Sequence, residues 1–467
     1  MPANSVFLLV VLVPILGGLC ISRIDEKIFP LNIKLVSVWT AIFAFLLSLV
    51  LLSSSGEKFS FFNISFLVNG VSIPMIVMTA LLTLAAVAVS YGEQNSNLKR
   101  FHILVLSLES LLIALFSTAD IFMFYVLLQL ILTVAFVLLG IFAKDSICAS
   151  KFFVILSAGA IFILGGVIYL VDTSGITEID VLSKYTFTLG QERVIFSLFF
   201  IGFACQSAIF PLHVWAPDSH TKPPTSISIL LSGILLKIGA FGMITILLPI
   251  AKNSEFIFRG YIFAAAVVTM LYAALSMLLQ KDLKKIIAYV SIVQMAIIAI
   301  GIFSGDVDGI SGAFFSVIAN SLATTTLLII VGVVENRFGT RNLNISGVSQ
   351  AIPYISPIAF VSIMALASVP PTPCFSGNLL ILFGCWPNNY FTSVVICFLI
   401  VFGVVYGLKI YWKVFEGECK LKKSKLTNGE LGCLLPLVAL MVVVGVYPDK
   451  IIHSVKGEIS KILMVKS

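Results

Sequence analysis

Apolar runs of about 18 to 25 residues recur along this chain, and runs of that length suit membrane-crossing helices. Folded as an α-helix, each run covers the roughly 30 Å of hydrocarbon in a bilayer. A soluble fold could not bury them all, because 59% of the 467 residues are hydrophobic and 11% are charged. Soluble domains carry about 25% charged residues. The sequence therefore predicts an all-α, polytopic membrane protein without a large soluble domain.

We expect about fourteen transmembrane helices. The predicted spans are 4–22, 33–53, 71–91, 101–117, 119–142, 150–171, 195–217, 224–250, 258–279, 284–303, 309–334, 354–388, 391–412 and 431–447. The twelfth is too long for one crossing and contains Pro370 and Pro371. We expect it to form two half-helices joined by irregular backbone.

Lys and Arg residues are distributed unevenly between the loops. The loops after odd-numbered spans contain 18 of them, and the loops after even-numbered spans contain 5. Because cytoplasmic loops carry the basic excess, we expect the odd-numbered loops, including 413–425, to face the cytoplasm and both termini to lie outside. The basic C-terminal tail departs from this rule, and we expect it to lie along the membrane surface.

Two proline-interrupted apolar segments, 209–218 and 368–376, lie about 160 residues apart. The first contains Pro211 and Pro217. Such a pair is typical of inverted-repeat transporters, whose broken helices meet near the bilayer midplane. Five spans separate the two segments, so they run in opposite directions, as an inverted repeat requires. The alternative is two ordinary proline kinks packed against neighbouring helices.

Lys237 is the only Lys or Arg that we place near the middle of a span. Ionisable residues inside spans are functional candidates, because each costs about 3 kcal/mol or more unless it faces a polar interior. Its stem is too short to reach the interface from that depth. We expect Lys237 to line a hydrated ion path; a structural ion pair or a misplaced span is the alternative.

A second polar cluster follows the first proline break and consists of His213, Asp218, His220 and Lys222. Seven residues separate the two histidines, and no third strong ligand is nearby, so we expect no metal site. We expect the cluster to cap the broken span and to contact interfacial water. A route for protons into the span is the alternative.

Motifs of soluble enzymes are absent from the sequence. It contains no Walker lysine loop, no G-x-S-x-G, no dinucleotide fingerprint and no clustered metal ligands. The eight cysteines form no C-x-x-C pair, and no basic-aromatic face suggests nucleic acid. We therefore expect no cofactor, no redox site within the chain and no nucleic-acid partner.

Three motifs connect these features to a known family. Residues 210–243, FPLHVWAPDSHTKPPTSISILLSGILLKIGAFGM, resemble the PLHxWLPDAH…APT…LAGILLKxGxYG core of complex I chain M. Residues 282–291, DLKKIIAYVS, are similar to DxKKxIAYSS, and ASVPP at 367–371 with FSGN at 375–378 is similar to SxxGLPPxxGFxGE/K. Over roughly residues 100–415 the chain thus resembles the antiporter-like subunits of respiratory complex I and of Mrp-type cation/proton antiporters.

The resemblance implies a fourteen-helix fold with two inverted five-helix repeats, each forming a half-channel. On that basis the chain divides into an N-terminal segment (1–100), two repeats (101–250 and 251–415) and a C-terminal helix and tail (416–467). It also implies a bacterial inner membrane location. The implied partners are the lipid bilayer and other membrane subunits of complex I or an Mrp complex, which move protons or sodium ions.

The resemblance further implies a line of ionisable residues in the membrane, and most of them are amides here. The fifth-span glutamate and its partner lysine correspond to Gln129 and Gln206. The tenth-, eleventh- and twelfth-span groups correspond to Gln294, Asn320 and Asn378. An amide forms hydrogen bonds but does not take up or release a proton near neutral pH. We therefore expect weak proton conduction or none.

Three functions stay open on the sequence. The first is an ion-translocating, or formerly ion-translocating, subunit of complex I, which the GILLK element at 233–237 favours. The second is the D-type subunit of an Mrp antiporter, which AIFPL at 208–212 and VENRFGTR at 334–341 favour. The third is a structural subunit that holds such an assembly together without conducting.

Overall fold

The structure, a computed structural model, describes residues 3–53, 56–61, 64–93, 97–143, 145–418 and 423–464. Residues 419–422 of the predicted cytoplasmic segment 413–425 therefore lie outside the described residues. The helices are α1 (Ala3–Ser22), α2 (Pro30–Val50), α3 (Ser72–Val89), α4 (Leu98–Ser117), α5 (Ile121–Phe142), α6 (Ser146–Ser174), α7 (Ile179–Leu182), α8 (Leu189–Gln206), α9 (Ala216–Ser219), α10 (Thr225–Gly233), α11 (Ile238–Gly242), α12 (Leu248–Ile250), α13 (Ser254–Leu278), α14 (Leu283–Ile302), α15 (Val307–Phe338), α16 (Val348–Ala351), α17 (Ile355–Leu366), α18 (Pro373–Cys385), α19 (Tyr390–Phe415), α20 (Asn428–Val446) and α21 (Asp449–Met464).

In the described part of the chain, 12 helices are long and apolar enough to cross a membrane, which confirms the predicted all-α polytopic architecture. The predicted count of about fourteen spans is not confirmed. α17 and α18, with 12 and 13 residues, are each too short to cross alone. They are the two halves of the predicted twelfth span, and the expected irregular backbone separates them.

Helix α15 lies at the centre of the bundle. Its apolar window is buried on every side, and α10, α14, α17 and α18 pack around it. Asp306 caps its first turn by accepting hydrogen bonds from the backbone N–H groups of Asp308 and Gly309. A helix buried all round can carry polar side chains only where neighbouring helices supply partners or room for water.

Two elements at one end of the bundle were absent from our predictions. A hairpin of β1 (Glu57–Phe61) and β2 (Ile64–Val68) follows α2, and its Phe59 and Phe66 pack on Phe7 of α1 with ring centroids 4.9 and 5.3 Å away. The C-terminal tail forms α21, whose Val455 and Ile459 are fully buried. The tail therefore packs on the bundle through its apolar face, and its contact with a membrane surface stays a prediction.

The two helix breaks have the same backbone conformation. One residue in each adopts the left-handed region, Ala208 at φ 54° and Ser368 at φ 59°, and the Phe210–Pro211 and Pro370–Pro371 peptide bonds are cis. The backbone N–H groups of residues 209 and 369 each donate to a carbonyl five residues earlier, at 3.0 Å in both breaks. Pro217 is the exception to our predicted break residues, because it lies in the first turn of the short helix α9.

The correspondence at a spacing of about 160 residues extends beyond the breaks. Aspartates cap α5 and α14, and aspartates cap α6 and α15. Helices α6 and α15 also both end on left-handed glycines, Gly175 at φ 68° and Gly339 at φ 67°. Local signals of the same type thus recur in the same order, which supports the predicted pair of repeats.

Candidate functional site

Lys237 lies where its helix is least regular. α10 ends at Gly233, a 3₁₀ turn covers Leu235–Lys237, and a π-helical turn, Met243–Leu247, follows α11. On this stretch Gly239 lies against the first break, since a Cβ on it would come 2.2 Å from the Ser207 Oγ. Irregular turns inside a buried helix free backbone groups and often mark functional positions.

The Lys237 side chain is fully buried inside the bundle. Its Nζ lies 3.5 Å from the Sδ of Met295 on α14, and Cys374, in the first turn of α18 just after the second break, is near enough to be within electrostatic range. Among the described residues, no carboxylate lies within ion-pair distance of Lys237. The structure therefore places Lys237 between the two helix breaks, away from lipid and outside any structural ion pair.

A hydrogen-bonded group joins two of the predicted residues to the second break. Asn378 Nδ2 donates to Gln294 Oε1 at 3.3 Å and to Ser368 Oγ at 2.7 Å. Ser316 Oγ donates to Asn378 Oδ1 at 3.2 Å, and Gln294 Nε2 donates to the Leu366 carbonyl at 3.1 Å. Both amides thus have partners on α15, α17 or the break, and the group is held together without any charge.

Asn320 on α15 belongs to a neighbouring set of polar side chains. Its Oδ1 accepts a hydrogen bond from Thr324 Oγ1 at 2.9 Å, and that hydroxyl lies 3.4 Å from the Ser291 hydroxyl on α14. Asn320 Nδ2 is buried and has no hydrogen-bond partner among the described residues. A buried amide donor without a protein partner is a position where water is expected.

The structure does not bring Gln129 and Gln206 together by a hydrogen bond. Gln206 Nε2 donates to the Leu156 carbonyl at 3.3 Å, whereas Gln129 is half-buried and its Oε1 has no partner among the described residues. Helix α6 packs against both α5 and α8. Its contact with α8 is very close, because a Cβ on Gly159 would lie 2.5 Å from that of Cys205.

The polar cluster after the first break is an ion-pair network. Asp218 lies 3.9 Å from Lys151, 3.7 Å from Lys222 and 3.7 Å from Lys285. Lys222 also contacts Asp145 at 2.5 Å, and this contact raises the pKa of Lys222 and lowers that of Asp145. Asp218 therefore ties the break to α6 and α14 through ion pairs, whereas α9 and α10 begin without a side-chain capping hydrogen bond. The expected capping role stays a prediction.

The two histidines of the cluster lie apart from this network. His213 stacks on Phe210 and meets the Tyr272 ring edge-on, with ring centroids 5.6 and 4.7 Å away. His220 is buried against Trp215, and both of its ring nitrogens lack a partner among the described residues. The described residues contain no group of three or more potential metal ligands.

Glu109 is an intramembrane ionisable residue that sequence reasoning missed. It lies on α4, its side chain is buried, and neither carboxylate oxygen has a hydrogen-bond partner among the described residues. His102, two turns earlier, is also buried with both nitrogens unpartnered. The sequence carries a signal for it, because Glu109 is an acidic residue inside the predicted span 101–117.

Comparison with known proteins identifies similar chains. A family described as "NADH:quinone oxidoreductase/Mrp antiporter, TM" matches residues 118–403. NADH-quinone oxidoreductase subunit M of Rickettsia prowazekii (strain Madrid E) is 32% identical over 396 residues, covering 83% of this chain and 80% of that protein.

Two solved structures have the same fold. A chain of respiratory complex I from Thermus thermophilus superposes with a TM-score of 0.90 at 23% identity, covering 99% of this chain and all of that one. A chain of the Mrp complex from Dietzia sp. DQ12-45-1b gives a TM-score of 0.88 at 17% identity, covering 99% and 97%. The fold alone therefore does not separate the two kinds of complex.

Proposed function

The chain belongs to the NADH:quinone oxidoreductase/Mrp antiporter family, and we propose that it is the antiporter-like membrane subunit of a complex I-type assembly, with reduced proton conduction of its own. The observation that carries this proposal is the environment of Lys237. The lysine is buried between the two helix breaks. At the positions where the family pattern has ionisable groups that would exchange charge with it, this chain has Gln294, Asn320 and Asn378.

Reduced conduction follows from the chemistry of these side chains. A relay of protons requires neighbouring groups whose pKa values respond to one another's charge. Gln294 and Asn378 form hydrogen bonds and orient water, but they do not store a proton near neutral pH. Lys237, Glu109 and His102 are buried in the described spans and retain such chemistry without an ion-pair partner.

The proposed surroundings are a bacterial inner membrane with both termini outside, and other membrane subunits of the same complex as partners. The basic loops support this orientation. The relative from Rickettsia prowazekii is named as a subunit of NADH-quinone oxidoreductase, which supports a complex I-type assembly. The proposed repeats are residues 101–250 and 251–415, and they rest on the correspondence of the two breaks. The proposal that His213 and Asp218 lie on the ion pathway, beside the first break, rests on the same correspondence.

Two other functions compete with this proposal. The Mrp-like motifs at 208–212 and 334–341 favour the D-type subunit of an Mrp antiporter. Close helix contacts around Gly159 and Gly202 favour a structural subunit, because they leave little room for water in the first repeat.

Affinity purification of the tagged chain from its own membranes tests the assembly. We expect redox subunits with NADH and quinone sites to co-purify; small Mrp-type subunits without redox proteins would establish the alternative. In the purified complex, we expect Lys237→Met to lower the protons moved per NADH oxidised while NADH oxidation continues. An unchanged ratio would identify a structural subunit.

A further inference from the structure

An apolar groove lies between α14 and α19, beside the hydrogen-bonded group of the second break. Two adjoining cavities form it, one of about 100 Å³ and one of about 40 Å³. Both cavities are lined by Met277, Val290, Leu366, Ala367 and Gly403. The two cavities are therefore parts of one continuous space, which we name the α19 groove.

The α19 groove is long and narrow. On α19 its lining begins at Leu399 and ends at Phe415, and a helical stretch of that length spans about 24 Å. The hydrocarbon of one membrane leaflet is about 15 Å deep, so the groove extends from one membrane surface past the midplane. Gly403 forms part of its wall, and a Cβ there would meet nothing closer than the Ala367 Cα at 3.9 Å. The space is therefore open beside the helix backbone.

The lining of the α19 groove suits an apolar occupant. Tyr406 is the one polar side chain around the larger cavity, and its hydroxyl donates to the Met277 carbonyl at 3.2 Å. Around the smaller cavity, Gln294 and Ser368 are already hydrogen-bonded to Asn378. Cavities with such linings stay dry and accept apolar molecules. A transmembrane helix, about 10 Å wide with its side chains, is too thick for this space.

Two exposed lysines flank one end of the α19 groove. Lys281 lies just before Leu283, which lines the groove from α14, and Lys413 lies beside Val414, which lines it from α19. Neither lysine has an ion-pair partner among the described residues. Basic residues at a membrane surface attract anionic lipid headgroups. This end of the groove therefore has free positive charge at the depth of the headgroups.

Acidic residues at the same end do not cancel this charge. Asp282 contacts Arg341 at 2.7 Å, and Glu335 contacts the same guanidinium at 3.2 Å. The segment 413–425 contains two glutamates but five lysines. The end of the groove at Phe415 thus keeps a positive excess.

We propose that the α19 groove binds one acyl chain of an anionic phospholipid, with the phosphate at Lys281 and Lys413. The chain end would lie against Ala367 and Ser368, so that a lipid molecule packs directly on the second break. This inference does not depend on whether the chain conducts protons, because it requires only that the protein spans a membrane.

Photolabelling in nanodiscs that contain the purified complex tests the position of the chain. The probe is phosphatidylglycerol with a diazirine at the end of one acyl chain. Leu399 lines the groove and is 6% exposed, whereas its neighbour Phe398 is 65% exposed at the same depth. We expect the probe to label Leu399 several-fold more than Phe398. The reverse order, as expected for lipid that only surrounds the protein or for a groove filled by another subunit, would overturn the proposal.

Filling the groove tests whether the label depends on it. We expect Gly403→Leu to lower the labelling of Leu399 several-fold, because the new side chain occupies the space of the acyl chain. Gly140→Leu is the matched control, since Gly140 is an exposed glycine of α5 whose Cβ would meet nothing within 4 Å. Equal labelling of Leu399 in both variants, each purified with an unchanged unfolding midpoint, would overturn the proposal.

Competition with unlabelled lipid tests the headgroup, and its variants change only exposed side chains. We expect phosphatidylglycerol to reduce the labelling of Leu399 several-fold more effectively than phosphatidylcholine. We expect Lys281→Gln with Lys413→Gln to remove this preference, and Lys27→Gln, in the loop between α1 and α2, to keep it. Equal competition by the two lipids in the unchanged complex, or a preference that survives the double substitution, would overturn the assignment to an anionic phospholipid.

Discussion

Asp218 and Asn378 occupy the same place in the two helix breaks, each ten residues after the left-handed residue. Asp218 is 25% exposed in its side chain and lies among three lysines. Asn378 is fully buried and bonds to Gln294, Ser316 and Ser368. The shared backbone therefore does not depend on the charge at this position. A carboxylate is present where water and lysines stabilise it, and an amide is present where neither does.

Exchanging acid and amide at these two positions gives the largest expected effect. Asn378→Asp removes the donor that serves Gln294 and buries a carboxylate, which should destabilise the protein by about 3 kcal/mol. Asp218→Asn loses partly exposed ion pairs and should cost less than about 1 kcal/mol. The measurement is the thermal unfolding midpoint of each variant in nanodiscs. Equal losses would show that the two sites do not differ in solvation.

The close packing of α6 on α8 is a second feature of the first repeat that a substitution can test. A Cβ on Gly202 would lie 2.4 Å from Ile163 Cγ1 and 2.8 Å from the Gly159 carbonyl, so Gly202→Ala should cost about 2 kcal/mol. Gly165→Ala on α6 is the matched control, because its Cβ would meet nothing closer than 3.8 Å. Thermal unfolding in nanodiscs again measures both. A tolerated Gly202→Ala would mean that the first repeat is loose enough for water.

The breaks and the span pattern could be predicted from the sequence, because apolar length and proline act locally. Most predicted spans match helices, and Pro211, Pro370 and Pro371 lie in irregular backbone as expected. The hairpin was missed because five-residue strands with mixed side chains carry little periodic signal. Pro217 was misassigned because proline also suits the first turn of a helix, which is its position in α9.

The site was harder to predict because its contacts join distant parts of the chain. Gln294 and Asn378, for example, are 84 residues apart. The family motifs indicated Gln294 and Asn378, whose side chains are hydrogen-bonded in the structure, but they gave no indication of the buried Lys284 and its ion pair with Glu335. Which polar groups stay unpartnered depends on neighbours that only the folded bundle supplies.

Gln129 and Gln206 offer a smaller test of the same comparison. The family pattern predicts that Gln129→Glu with Gln206→Lys destabilises the protein less than either single change, since together they form an ion pair. The structure has no hydrogen bond between the two side chains, and α6 packs against both helices. We therefore expect a coupling below about 1 kcal/mol in a double-mutant cycle on thermal stability. A larger coupling would place the two positions in contact.

The smallest expected effect concerns the pair of Asp145 and Lys222 beside the first break. The pKa of Asp145 lies below its ordinary value of 3.8, because Lys222 donates a hydrogen bond to the carboxylate. The ionised Asp145 therefore stabilises the folded protein above pH 3.8, and this stabilisation is lost as pH falls through the lowered pKa. The pKa of Lys222 lies above 10.5, so its stabilisation is present below that value and is lost as pH rises through the raised pKa.

Asp145→Asn tests that pair with little change to the helix. Asparagine still caps α6, so loss of the cap does not confuse the result. At pH values between the lowered pKa of Asp145 and the raised pKa of Lys222, we expect the variant to have a lower unfolding midpoint than the unchanged protein. In acid and in strong alkali, we expect the midpoint of the variant to decline less steeply. Asp172→Asn, near the other end of α6, is the control and should leave the pH profile unchanged. If Asp145→Asn also leaves it unchanged, the ion pair beside the first break contributes nothing, and Asp218 alone must hold the break against α6.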